Sequence, residues 1–340
     1  MDELAQLNNF RSEVPPQEDL RGEAERLMAG MSAPARPDFR RIGLRAALAG
    51  GLAAVAGVAV FLVQSRPAPV PPPPMIRTVA AVEVLSRAAA HAGSRPELHP
   101  RPGQFLVYES QSMDSTESDG QIWLSRYKRK IWLPVEGSSV NGVLQEELLT
   151  PLPYPGRALP PQAQAEQARA GKPGRPQRAA DFDHRAEFLR NDYAYVSRLP
   201  TDTEAMRRHL YTQVPNDGLQ DYEAWNRVGG LLAESYLPAA QRAALFRAAA
   251  TIPGVVTVKE SQDAAGREGI AAAMVSPNGV REEHIFDRKT YDYLGRRGVV
   301  VDAKLADAPV GSVVSSSAQV KVSVADSAPL VEETARRGSG

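Results

Sequence analysis

No cysteine occurs among the 340 residues. This excludes disulfides, thiolate metal centres, cysteine nucleophiles and a cysteine-borne lipid, and it leaves the redox compartment open. Charge of one sign is not in excess either, because 40 Lys and Arg balance 40 Asp and Glu. The broad basic field that a nucleic-acid partner needs is therefore missing. The five histidines, His91, His99, His184, His209 and His284, never stand three or four apart, so no helical metal site is spelled out. His184, in Asp181-Phe182-Asp183-His184, reads as a solvated loop end rather than a ligand cluster. The chain contains no G-x-S-x-G, no P-loop and no G-x-G-x-x-G. The expectation is a protein with no cofactor, no metal and no catalytic set.

What the sequence does have is one long uncharged run. No charged residue occurs from Ala46 to Ser65, and the core AALAGGLAAVAGVAVFLV ends with Phe61, Leu62 and Val63. An 18-residue helix is about 27 Å long, close to the hydrocarbon thickness of about 30 Å. It has no polar face, which suits lipid better than a soluble core. Arg36, Arg40, Arg41 and Arg45 precede it, whereas only Arg66 and Arg77 follow closely. The basic flank stays inside, so the reading is a single-pass membrane protein with a cytoplasmic N-terminus and a translocated C-terminal domain. Arg40-Arg41 before an apolar run also fits a twin-arginine signal, and that alternative stays open.

The chain then divides into a cytoplasmic segment 1–41, a transmembrane helix 42–64, a proline-rich linker 65–76, an outer domain 77–325 and a tail 326–340. In the cytoplasmic segment, Leu20, Ala24, Leu27, Met28 and Met31 recur at spacings of three and four, an apolar stripe on one helical face. A segment this short buries no core of its own, and its polar face mixes Glu23 and Glu25 with Arg21 and Arg26. A protein partner fits that face better than a lipid surface does. The linker RPAPVPPPPM reads as an extended polyproline spacer.

In the outer domain the pattern predicts a helix over 78–91, then strands over 103–110, 121–135 and 144–149. Ser112–Ser118 reads as a turn. Trp123, Tyr127, Lys128, Arg129, Lys130 and Trp132 read as a strand with a basic exposed face and its aromatics turned inward. Residues 151–180 hold seven prolines and read as a mobile loop. Three helices follow, over about 201–210 with Thr201 and Glu204 spaced as a capping box, over 222–236 and over 238–252. Strands over 255–261, 269–276, 280–286 and 291–301 form an antiparallel meander, with Asp263–Gly266 and Pro277-Asn278-Gly279 as turns, and 313–324 adds a strand. The fold class expected is α+β, an antiparallel sheet packed on helices.

Several blocks carry a resemblance: Leu4–Met31 with Val14-Pro15-Pro16, Trp132–Ser138, Leu199-Pro200-Thr201-Asp202, Leu245–Val255, Asp263–Gly269 and Glu282–Gly295. In these the chain resembles a family of uncharacterised single-pass membrane proteins of high-GC Gram-positive bacteria, often encoded beside extracytoplasmic-function sigma factors. The resemblance implies a regulatory or sensory role, with a sigma factor as a partner of the cytoplasmic stripe. By analogy of fold it also implies an outer half-barrel like those of lipoprotein carriers, and hence a lipid or lipoprotein ligand in a hydrophobic concavity between sheet and helices. A tethered enzyme is the remaining alternative.

Overall fold

The computed structural model describes residues 79–94, 96–136, 141–179 and 185–332. The stripe Leu20, Ala24, Leu27, Met28 and Met31 lies outside the described residues, as do Arg40, Arg41, Arg45, Phe61, Leu62 and the linker. Among the described residues, no helix is long and apolar enough to cross a membrane.

Helix α1 (Val79–His91) leads into three long strands, β1 (Phe105–Ser118), β2 (Gln121–Pro134) and β3 (Val143–Pro153). β1 and β2 pair from Phe105 opposite Pro134 to Ser118 opposite Gln121. Asp119 (φ 52°) and Gly120 (φ 71°) make the two-residue connection. Two left-handed residues give a turn whose twist matches the strands. Ser112–Ser118 is thus the second half of β1, not a turn, and the reversal is Asp-Gly.

Residues 151–179 also differ from expectation. β3 runs on to Pro153, and the chain then forms a 3-10 turn at Pro161–Ala163, helix α2 (Gln164–Arg169) and the two-residue strand β4 (Gln177–Arg178). β4 pairs with Val143 and Leu144, Gly171 N–H donates to the Leu148 carbonyl (2.8 Å), and Gly174 N–H donates to that of Glu146 (2.6 Å). This segment caps the open edge of β3. Proline is compatible with that position because an outermost strand needs no donors on its far side.

The helical insertion comprises α3 (Tyr193–Val196), α4 (Thr203–Leu210), α5 (Gln220–Leu232) and α6 (Ala239–Ala249). Asp202, not Thr201, caps α4: its Oδ1 accepts the Ala205 N–H at 2.8 Å. Met206 and Leu210 face inward, as do Leu245, Phe246 and Ala249 of α6. A four-strand meander follows, β5 (Val256–Gln262), β6 (Glu268–Val275), β7 (Val280–Phe286) and β8 (Tyr293–Val300), then the short α7 (Ala303–Ala306) and β9 (Val313–Ala325).

All nine strands join one antiparallel sheet in the order β4-β3-β2-β1-β9-β8-β7-β6-β5. The expected α+β class and the β5–β8 meander are present. The last strand inserts between the first and the eighth. One face carries the helices: Trp225, Val228, Leu245 and Phe246 meet Ala272, Met274 and Phe286 in the largest core cluster. A second cluster on that face gathers Leu106, Tyr108, Ile131 and Leu133 with Tyr193 and Tyr236. Ala271, Ala272 and Ala273 of β6 are fully buried, so this strand is covered on both faces. On the opposite face, Ala328 and Val331 pack on Val107, Trp132 and Val143, so the chain beyond β9 belongs to the fold up to residue 332.

Two outcomes follow. Asp202→Ala should lower unfolding stability by about 1 kcal/mol and Thr201→Ala by much less, measured as denaturant midpoints of the full chain in detergent. Deleting residues 171–178 should leave β3 as an open edge, and analytical ultracentrifugation should then show self-association that the intact chain lacks.

Candidate functional site

Between the two apolar clusters of the helical face runs a polar seam, set by strand alternation in β1 and β2. Ser110, Ser112 and Asp114 lie opposite Arg129, Tyr127 and Ser125. Tyr127 and Arg129 therefore turn toward the helices, while Lys128 and Lys130 turn away to Glu147 (3.8 Å) and Glu109 (3.2 Å). Trp123 and Trp132 likewise point to opposite faces. The expected single basic face is split, because a period of two cannot place four consecutive residues on one side.

Arg129 is the centre of the seam. It donates to Glu146 at 3.0 and 3.2 Å and to Glu234 at 3.3 and 3.4 Å, and its guanidinium lies 4.9 Å from the Tyr127 ring centroid. Ser110 Oγ donates to Glu234 at 3.1 Å, and Tyr127 Oη donates to Asp114 at 2.7 Å. Burial pulls the Arg129 pKa down, but Glu234, Tyr127 and Glu146 outweigh it and hold it above the ordinary value. Burial and then the Asp114 charge push the Tyr127 phenol up. Arg296 of β8 approaches Asp114 at 4.0 Å. Burial lowers its pKa, and the charges of Asp114 and Glu282 more than restore it. Burial raises the Glu282 carboxyl.

Glu234 reaches this seam from the end of α5 in a left-handed conformation, φ 46°. That place normally takes glycine, since a side chain there meets its own backbone. A glutamate is retained because its carboxylate ties the helix end to β1 and β2 through Ser110 and Arg129.

The middle of α5 rests on His284. The His284 ring lies 4.5 Å from that of Trp225, and a Cβ on Gly229 would come within 2.9 Å of His284 Cε1. Gly229 is thus the residue that admits the imidazole against the helix. His284 is 3% exposed, and its ring nitrogens make no hydrogen bond of ordinary geometry. Burial, then the nearby Arg296 charge, lowers its pKa to about 3.

The seam encloses a cavity of about 40 Å³ lined by Ser110, Ser112, Asp114, Glu234, Arg296 and neighbours. That is room for a few water molecules. The expected hydrophobic concavity between sheet and helices is occupied by the side chains of the two core clusters. Among the described residues, no group of three or more His, Asp and Glu is placed to hold a metal ion.

No family model matches the chain, and no curated protein matches it. Among solved structures it is similar to the complex structure of Pseudomonas aeruginosa MucA/MucB, with a TM-score of 0.23, 13% identity, and coverage of 74% of this chain and 59% of that one. It is also similar to a crystal structure from Vibrio parahaemolyticus described as an outer membrane lipoprotein-sorting protein domain, with a TM-score of 0.18, 9% identity, and coverage of 70% and 75%. The chain thus spans less than two thirds of the first of these. Neither likeness bears on the chemistry of the seam.

Of the seam residues, sequence reasoning singled out Tyr127 and Arg129, and read them as part of a basic exposed strand rather than as a buried cluster. The sequence signal that leads closest to the seam is Gly229-Gly230 inside a helical pattern, which sequence reasoning passed over, since glycine in a helix interior marks a close approach. Glu234 and Arg296 carry no such mark.

The neutral buried imidazole makes stability depend on pH. Above about pH 6.5 His284 is neutral in both states. Below it the unfolded chain takes the proton first, so stability falls as pH drops toward 3, by up to about 1.4 kcal/mol per pH unit from this group. Unfolding midpoints measured between pH 7.5 and 4 should fall steadily for the parent chain, and His284→Leu should flatten that slope by about one proton.

Proposed function

We propose that the chain is a membrane-anchored, non-catalytic regulatory protein, whose outer α+β domain is held away from the bilayer and whose cytoplasmic stripe binds a protein partner. The order of parts along one chain carries this reading. The stripe Leu20, Ala24, Leu27, Met28 and Met31 stands on one side of an uncharged apolar run, with Arg40, Arg41 and Arg45 at its near end. A proline spacer and a folded domain stand on the other. A stripe without a core of its own needs a partner to cover it. By the resemblance noted above, that partner is an extracytoplasmic-function sigma factor.

The seam supports a role without catalysis. Its charged groups are engaged with one another, Arg129 with two glutamates and Asp114 with Tyr127. A general acid or base needs a group free to meet substrate, whereas these contacts join β1, β2 and β3 to one another and, through Glu234, to the end of α5. The seam reads as a fastening between layers.

The full chain should sediment with membranes and be released by detergent, and protease added outside the cell should digest the outer domain. Affinity purification should recover a sigma factor with the parent chain and lose it with a Leu20→Glu, Leu27→Glu double variant. A product that stays soluble without detergent would end the anchoring reading. Equal recovery of the sigma factor by parent and variant would end the partner reading.

A further inference from the structure

The other face of the sheet holds a second ionic cluster, and its charges do not balance. Glu283 lies between Glu282 and His284 on β7, so its side chain points away from the helices. It is fully buried. Its Oε1 accepts from Arg281 at 2.7 and 2.9 Å, and its Oε2 accepts from Arg297 and from Ser261 Oγ, each at 2.7 Å. Four donors leave the carboxylate spent. One negative charge faces two guanidiniums, whose side chains are only 23% and 18% exposed. Arg297 directs a further N–H to the Glu260 carbonyl at 3.0 Å, which brings no charge. A guanidinium kept out of water without its own counter-charge is costly unless something answers it.

Arg297 lines a cavity of about 260 Å³ with Arg126, Gln111, Ser112, Ser316 and Asp263. Asp263 does not answer the excess. Its Oδ1 accepts the N–H groups of Ala265 and Arg267, and its Oδ2 accepts Arg267 Nε at 2.7 Å. Arg126 contributes a guanidinium whose one hydrogen bond among the described residues goes to the Thr150 carbonyl at 3.4 Å. Among the described residues, with Arg281 set against Glu283 and Arg267 against Asp263, two positive charges remain at the cavity wall, one on Arg126 and one on Arg297.

The wall is fixed before any ligand arrives. Arg267 reaches from the β5–β6 turn to the carbonyls of Leu294 (2.8 Å) and Gln319 (2.9 Å), and Gln111 Nε2 donates to the Ala264 carbonyl at 2.6 Å. The turn is thereby pinned to β8, β9 and β1. A preorganised site loses less freedom when it binds.

We propose that this cavity binds a phosphate monoester or free phosphate. Two guanidiniums in excess match a group that carries about −1.5 to −2 near neutral pH. Guanidinium and hydroxyl donors from β2, β8 and β9 (Arg126, Arg297 and Ser316) suit an acceptor with three terminal oxygens. The site stands on residues of the folded domain alone, so it holds whether or not the N-terminal run spans a membrane.

The test uses the full chain in a non-ionic detergent, with isothermal calorimetry at constant ionic strength. Inorganic phosphate and dihexanoyl phosphatidic acid are the two probes. At least one should bind with a single site per chain. Arg126→Gln, which leaves the Glu283 cluster intact, should weaken binding at least tenfold without moving the thermal midpoint of the ligand-free protein. Binding should also weaken from pH 7.5 to 5.5 as the phosphate takes up a proton. Equal affinity for both probes identifies the phosphate group itself as the ligand, and affinity at least tenfold higher for the lipid identifies a headgroup. Failure of both probes to bind, or binding that Arg126→Gln leaves unchanged, overturns the proposal.

Discussion

The sheet depends on where β9 goes. The strands made before the helical insertion and those made after it are two antiparallel units, β1–β4 and β5–β8, with the stretch of chain from Arg178 to Val256 that carries α3 to α6 between them. Nothing local brings them together. β9, thirteen residues long, hydrogen-bonds to β1 along one edge and to β8 along the other. Closing that sheet is a long-range event, and its entropy cost is met only when both edges pair. At Gly295 the approach is so close that a Cβ would sit 2.0 Å from the Ser317 carbonyl oxygen. Once the strand is in place, the two halves present one continuous surface to the helices.

That surface is apolar at both ends and charged across the middle. Strand alternation sets the division. Each step along β7 from Glu282 to Glu283 to His284 changes face, so neighbours in sequence serve different layers. Glu282 and His284 face the helices with Arg296, and Glu283 faces away with Arg281 and Arg297. On the helical face carboxylates outnumber guanidiniums, with Glu146 and Glu234 on Arg129 and Asp114 and Glu282 about Arg296. The opposite face keeps guanidiniums in excess beside a cavity. The first arrangement fastens layers together, and the second leaves charge for something else to meet.

Much of the fold was legible in the sequence because its signals are local. The period of β5–β8, the Pro-Asn-Gly turn, and the inward Met206, Leu210, Leu245 and Phe246 all follow from spacing and turn chemistry. The misreadings were of two kinds. Ser112–Ser118 is polar apart from Met113 and was read as a turn, yet pairing with β2 along its whole length, and with β9 at Ser112 and Met113, makes it strand. Residues 151–179 looked like a loop because proline breaks both helix and ladder. At the rim of a sheet, however, only one side of the backbone needs partners, and proline is no obstacle there.

The sequence by itself determined the order of parts: a basic flank, an uncharged run, a proline spacer and an α+β domain. Composition and periodicity decide these within a few residues of each position. Only the tertiary structure decided which charges meet. Arg129 and Glu234 are 105 residues apart, and Arg297 and Glu283 are 14 apart but on different strands. No spacing rule links such pairs, because strand order and the face each residue takes follow from how the whole sheet closes.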